Sequence, residues 1–348
     1  MLEYFIFGFL ISVCITPLFR KVGFMFGLLD IPTGGRKIHT KPMPLTGGLA
    51  VFFSYSLAVA GYLWMGDVNF QLIPLKFFLS LFFGGAILIL GGVLDDKYSM
   101  PPLVQLLFPA FAALIVMYLG VGVGLKEISN PFGTPFNLRV TFLFIPIAYY
   151  LVFFWLMGMM FTTKLLDGLD GLTSGIGGIA ATALFFLSLT PKVNQPETAI
   201  LALLFCGVLF GYLVFAFHPA SIFLGQGGSL YVGFVLGVLS VILGGKILTA
   251  LLVMGMPILD VVWAILRRIM QGKNPFVGDR RHLHHRLLDA GLPHWQAVLV
   301  FYAVSAIFGF SAVFMQTKGK IFLALTLVVM VIGLGITSVL MYIRRKDS

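Results

Sequence analysis

Residues 141–172 read TFLFIPIAYYLVFFWLMGMMFTTKLLDGLDGL. The first twenty carry no charged side chain; then Lys164, Asp167 and Asp170 arrive within seven residues. About twenty consecutive apolar residues span the hydrocarbon core of a bilayer as a helix. The stretch therefore predicts a membrane span that delivers charge to the membrane surface. Working outward, the rest of the chain repeats this composition. Of 348 residues, 59% are hydrophobic and 10% charged, and mean hydropathy is +1.02. A soluble domain carries about 25% charged residues. We read an all-α polytopic membrane protein, a bundle of about eleven transmembrane helices at roughly 2–19, 47–65, 72–94, 101–120, 141–160, 172–190, 198–217, 229–243, 247–266, 297–315 and 321–343, forming a single domain. The first segment is too long for a cleaved signal peptide. Cys14 and Cys206 lie inside apolar runs and imply neither a disulfide nor a metal site.

The formal net charge of +10 raises the question of nucleic acid, and its distribution argues against it. With the N-terminus outside, sixteen of the 23 Lys and Arg fall on the inner side and seven on the outer. That excess sets orientation by the positive-inside rule and puts the C-terminus in the cytoplasm. Five inner loops then collect the unusual polar residues, so one face carries the function.

Asp95 and Asp96 end the apolar run ILILGGVLDD, and adjacent carboxylates repel unless a cation or donors intervene. Asp167 and Asp170 are spaced three apart, so a helical turn would bring both to one face. The glycines after them let a bulky ligand approach the backbone. Four inner carboxylates imply a hard divalent cation, Mg²⁺ with Mn²⁺ as the alternative, which takes oxygen ligands and phosphates. The plainer readings are a solvated helix end and a Gly/Asp turn. His282, His284 and His285 sit among Arg267, Arg268, Arg280, Arg281 and Arg286. Zinc spacing is absent there, and the arginines fit a phosphate or sugar-nucleotide site. A basic juxtamembrane loop explains the arginines but not three histidines in four positions. Arg36, Lys37, His39 and Lys41, held off a helix by Gly and Pro, suit a lipid phosphate, and equally a topogenic charge cluster. FLGQGGS, 223–229, is a weak phosphate-cradle signal.

The motifs LDIP…RKIHTKPMPLTGG, GGVLDDKYSM, LLDGLDGL, FLG-GGSL and MPILDVVWAILRR…NPFVGDRRHLHHRLL together resemble, in order, those of the polyprenyl-phosphate N-acetylhexosamine-1-phosphate transferases, over about residues 1 to 345. The HLHH pattern is similar to the WecA/TagO-like branch, which uses UDP-GlcNAc. The resemblance implies transfer of N-acetylglucosamine-1-phosphate to undecaprenyl phosphate with release of UMP, at the cytoplasmic face of the bacterial inner membrane, in a homodimer. It implies Asp95 as the base toward the lipid phosphate, with a covalent role as the alternative. Asp96, Asp167 and Asp170 would serve cation and nucleotide, with Asp95, Asp96 and Asp167 as the metal set. Arg268, Arg281, His282, His284 and His285 would hold diphosphate and sugar. Partners are then the polyprenyl phosphate, a UDP-amino sugar and membrane lipid, with no nucleic acid.

Two positions depart from the family pattern. Lys164 stands where the family has Asn, and Gln226 where it has a metal-binding Asp. Together they raise the local charge by two, the charge of Mg²⁺, so an ammonium among Asp95, Asp96 and Asp167 would imitate the cation and weaken turnover. Two other functions remain: the phospho-MurNAc-pentapeptide transferase reaction, and a cation-coupled secondary transporter, for which matching halves and mid-bilayer carboxylates are expected.

Overall fold

The structure is a computed structural model that describes residues 1–32, 41–65, 68, 70, 73–122, 125, 127–128, 136–138, 140–143, 145–244, 247–272 and 282–347. Its helices are α1 (Leu2–Met25), α2 (Gly47–Trp64), α3 (Leu75–Tyr98), α4 (Pro102–Tyr118), α5 (Ile147–Leu166), α6 (Leu172–Ser188), α7 (Pro196–Ala216), α8 (Gly225–Ile242), α9 (Ile247–Val253), α10 (Gly255–Met270), α11 (Leu283–Asp289), α12 (His294–Phe314) and α13 (Thr317–Asp347). Among the described residues, eight helices are long and apolar enough to cross a membrane. The α9–α10 pair, bent by 81°, makes a ninth if it is one span, and α4 and α6 are shorter apolar helices. Pro257, in the first turn of α10, has no N–H to bond back to Val253, which accounts for a break rather than a continuous rod.

Boundaries differ from expectation where polar residues join the helix. α3 runs on to Tyr98, so Asp95 and Asp96 lie within its last turns rather than beyond it. α8 begins at Gly225, as the short eighth run allows by starting within GQGGSLYVG. The fifth apolar run starts later than composition indicates. Its first six positions include the two-residue pairing β5 (Thr141–Phe142) with β6 (Ile145–Pro146), ahead of α5. Two further two-residue pairings precede it in the chain: β1 (Leu29–Asp30) with β2 (Met43–Pro44), and β3 (Glu127–Ile128) with β4 (Phe136–Asn137).

Lipid is as apolar as leucine, so helices in a membrane gain by close backbone packing at small residues. α8 is the hub of that packing, buried along most of its length. A Cβ on Gly48 of α2 would lie 2.5 Å from the Gly228 Cα and N of α8, and one on Gly92 of α3 would collide with the Gly227 Cα and N. These contacts hold the start of α8 against α2 and α3. The chain before α2 is tied to the same place. Pro44 O accepts the Phe223 N–H (2.9 Å), and Phe223 O and Leu224 O accept the Gly47 and Gly48 N–H groups (2.9 and 2.8 Å). At the other extreme, α1 and α13 bury little of themselves, and their apolar surface is left for lipid.

Candidate functional site

The ends of α3, α5 and α7 and the starts of α8 and α12 enclose a cavity of about 970 Å³. Asp30, Asp95, Asp96, Asp167 and Asp170 all line it, together with Lys41, Lys164, Gln226, His218 and His294. Five carboxylates thus face two ammonium groups across one space. The four acidic residues read as catalytic in the sequence are brought together here.

Asp95 is 7% exposed. Its Oδ1 accepts the Met100 N–H (2.9 Å) and the Gln105 Nε2–H (3.0 Å). The Gln105 Oε1 accepts from Lys164 Nζ at 2.9 Å. Lys164 therefore belongs to the site, with the Gln105 amide standing between its ammonium and Asp95. Both Asp96 oxygens accept from the Gln226 backbone N–H, at 3.3 and 3.2 Å. The first turn of a helix has spare N–H donors and a partial positive charge, which suits a carboxylate there. The glycine-rich segment meets an anion as expected, but the anion is Asp96 of the chain itself.

Asp167 follows the last residue of α5 with φ −74° and ψ 53°. The Gly168 N–H donates to Leu166 O at 2.7 Å. This is an inverse γ-turn with Asp167 at its centre, and not the helical turn that the three-residue spacing allows. Asp167 is exposed to the cavity, and partial desolvation by the surrounding protein pushes its carboxyl up to about 7. Asp170 Oδ2 accepts from His218 Nδ1 (2.7 Å) and the Ala220 N–H (3.2 Å), while the Asp170 N–H donates to His294 Nε2 (3.3 Å). The two imidazoles stack 4.2 Å apart. Asp170, His218 and His294 offer three ligand atoms within 4.8 Å of one another, but the hydrogen bonds among them already close the set. Tyr302 completes the clamp on this turn by donating to Gly171 O at 2.6 Å.

The histidine motif lies elsewhere than on the cavity wall. His282 and His284 are 7% and 1% exposed, and neither they, His285 nor Arg268 line the cavity. His282 Nδ1–H donates to Asp260 Oδ2 (3.0 Å), and the Leu283 N–H to Asp260 Oδ1 (2.8 Å). Burial holds the His284 imidazole well below the usual histidine range, so it is neutral. Arg268 is buried in α10. Arg36, Lys37, His39 and Arg281 lie outside the described residues.

Asp260, Gln105, His218, His294 and Tyr302 went unassigned in the sequence. Asp260 had a usable signal, a carboxylate inside the apolar run MPILDVVWAIL, since an ionisable residue within a span is a functional candidate by default. Gln105 is similarly a lone amide in an apolar helix. His294 and Tyr302 have no local signal.

The family model described as Glycosyl transferase family 4 matches residues 78–244. A Bacillus subtilis (strain 168) protein, "Probable undecaprenyl-phosphate N-acetylglucosaminyl 1-phosphate transferase", is 33% identical over 90% of this chain and 84% of its own length. The Mycolicibacterium smegmatis "Decaprenyl-phosphate N-acetylglucosaminephosphotransferase" is 28% identical over 84% of this chain and 76% of its own. A Yersinia pestis "Undecaprenyl-phosphate alpha-N-acetylglucosaminyl 1-phosphate transferase" is 27% identical over 87% and 80%.

Proposed function

The chain belongs to the polyprenyl-phosphate N-acetylhexosamine-1-phosphate transferases of glycosyl transferase family 4, and from that premise we propose that its cavity transfers N-acetylglucosamine-1-phosphate from UDP-GlcNAc to undecaprenyl phosphate. A phosphate oxygen of the lipid attacks the phosphorus next to the sugar, the bond to the uridylate phosphate breaks, and UMP leaves. The product begins a lipid-linked cell-envelope glycan. One observation carries this reading: a single cavity between helix ends gathers five carboxylates from separate segments. Joining two polyanions inside such a wall demands added positive charge.

The donor set fits a small oxygen-seeking cation. Asp95, Asp96 and Asp167 would hold Mg²⁺, or Mn²⁺, which when bound neutralises phosphate charge. Asp95 Oδ1 is occupied by Met100 and Gln105. Its second oxygen takes part in neither bond and would accept the lipid phosphate's proton. Asp170, paired with His218, would face the nucleotide. UDP-GlcNAc is expected to raise the melting temperature of the purified protein and UDP-MurNAc-pentapeptide to leave it unchanged. The opposite pattern overturns the donor assignment, and solute flux in liposomes without UMP release would favour a transporter.

A parity argument supports eleven crossings with the N-terminus on the side opposite the site, and the Lys/Arg excess supports the N-terminus outside and the site at the cytoplasmic face of a bacterial inner membrane. The ends of α3, α5 and α7 share the cavity with the starts of α8 and α12. Between α3 and α5 only α4 intervenes, and between α5 and α7 only α6, so both short helices would have to cross. Segments from residue 30 to residue 294 contribute to the wall, in keeping with one domain.

A second reading concerns the cation: Lys164 lines the same cavity as the carboxylates, although its ammonium donates to Gln105 Oε1 and not to a carboxylate. Lys164 would act as a built-in positive charge that competes with Mg²⁺. Converting Lys164→Asn together with Gln226→Asp is expected to raise Mg²⁺-dependent UMP release at least tenfold. Equal activity in parent and double variant removes the idea.

Asp167 also sets a pH dependence. Its folded pKa, about 7, lies above the ordinary carboxylate value. The folded state therefore holds a proton that the unfolded chain releases near pH 4. Its contribution to stability is present below that value and is lost as pH rises toward 7. A cation must displace this proton. Mn²⁺ affinity, read by electron paramagnetic resonance, is expected to fall up to about tenfold from pH 7 to pH 6.

A further inference from the structure

Asp260 belongs to no assigned role, yet both of its oxygens accept hydrogen bonds behind the cavity wall. It is 6% exposed on α10. Oδ1 takes the Leu283 N–H, a first-turn donor of α11 with no partner in its own helix. Oδ2 takes His282 Nδ1–H at 3.0 Å and stands 3.8 Å from His284 Nδ1. One carboxylate thus fixes both the entry of α11 and the histidine before it, with the His282 and His284 rings nearly parallel, 8° apart.

The far edge of His284 meets the acidic turn. A Cβ on Gly168 would lie 2.5 Å from His284 Nε2 and 3.2 Å from Cδ2. The imidazole therefore fills the space beside Gly168, the residue that closes the γ-turn around Asp167. His294, His218 and Tyr302 hold the other end of this turn, at Asp170 and Gly171. Besides His284, the Asp167 end is held among the described residues by the Gly168–Leu166 backbone bond and by the Thr173 side chain against its carboxylate; His284 is what fills the space behind Gly168.

We propose that Asp260 is a positioning residue of the transfer site: it locks the His282–His284 segment so that His284 braces Gly168 and holds the Asp167 carboxylate in its place on the cavity wall. The inference rests on the proposed transfer reaction for its consequence, and on geometry alone for its mechanics. The histidine motif then acts on the reaction from behind, through the turn, and touches no substrate at His284. Supporting groups of this kind are what keep an acidic site within the tolerance that catalysis requires.

The test uses the full-length protein in nanodiscs with Asp260→Asn, nearly isosteric and so expected to fold, and His284→Ala. Hydrogen–deuterium exchange of the amides at 168–171 needs neither turnover nor metal. Both variants are expected to speed exchange there at least tenfold while the amides of α8 stay protected. Both are expected to lower kcat for UMP release at least tenfold, with KM for UDP-GlcNAc changed less than threefold. In the double variant the kcat loss should be no larger than that of the worse single, because the two residues act in series. Unchanged exchange at 168–171, multiplicative losses, or loosened exchange with wild-type kcat would each overturn the proposal. If the parent protein releases no UMP from any UDP-sugar, it is the transfer reading that fails, and the exchange measurement alone decides the role of Asp260.

Discussion

Asp95→Asn is expected to lower UMP release by about a thousandfold or more while leaving the protein as heat-stable as the parent, or slightly more so. Asparagine has the same shape and keeps one carbonyl oxygen. That oxygen can still accept the Met100 N–H and the Gln105 amide at 2.9 and 3.0 Å, so the turn after α3 survives. What disappears is one negative charge among five carboxylates. The charge costs the fold stability, because like charges in a partly buried cluster repel. It is essential to the reaction if Asp95 holds the cation or takes the lipid phosphate's proton. Losing a positioned base or a charge-stabilising group typically costs two to four powers of ten. The assay is UMP release from UDP-GlcNAc with undecaprenyl phosphate and Mg²⁺, alongside a melting curve. Activity within tenfold of the parent would remove Asp95 from the chemistry, and a large loss of melting temperature would make its role structural.

The second large effect concerns the scaffold. Gly92→Ala is expected to prevent recovery of folded, monodisperse protein, or to cost about 3 kcal/mol or more of stability. The added Cβ meets backbone, the Gly227 Cα and N, so no side-chain rotation relieves it and α3 must move away from α8. That movement also carries Asp96 away from the Gln226 N–H. Gly158→Ala is the control. Gly158 also lies within a membrane helix, α5, yet a Cβ there meets nothing within 4 Å. It is expected to be neutral or mildly stabilising, since alanine restricts the unfolded chain. Equal behaviour of the two variants in detergent melting and size-exclusion profiles would show that the α3–α8 approach is not the point of strain.

The apolar runs announced the helices because hydrocarbon selects for composition over some twenty residues, a signal each segment carries alone. Charge asymmetry likewise proposed an orientation without any contact being known. The acidic pairs at 95–96 and 167–170 were legible for a related reason: ionised side chains at a membrane edge are expensive, so their presence marks use. Boundaries were less legible. Composition cannot tell that Asp95 and Asp96 continue α3 or that Asp167 centres a γ-turn, since both depend on which donors lie nearby.

The histidine motif marks the limit of local reading. Its residue types suit anion binding, and from the sequence they looked like substrate contacts. Only the fold reveals Asp260, twenty-two residues earlier, as the partner of His282, and Gly168 as the neighbour of His284. The Gln105 amide between Lys164 and Asp95 spans 59 residues of chain on one side. Sequence by itself determined that this is a helical membrane protein with paired carboxylates at the ends of its apolar runs, because those properties belong to single residues and their near neighbours. Which acid faces the cavity, and which group braces it from behind, was decided by helix packing. Hydrogen bonds and steric contacts act over about 3 Å in space, and separation along the chain carries no record of that distance.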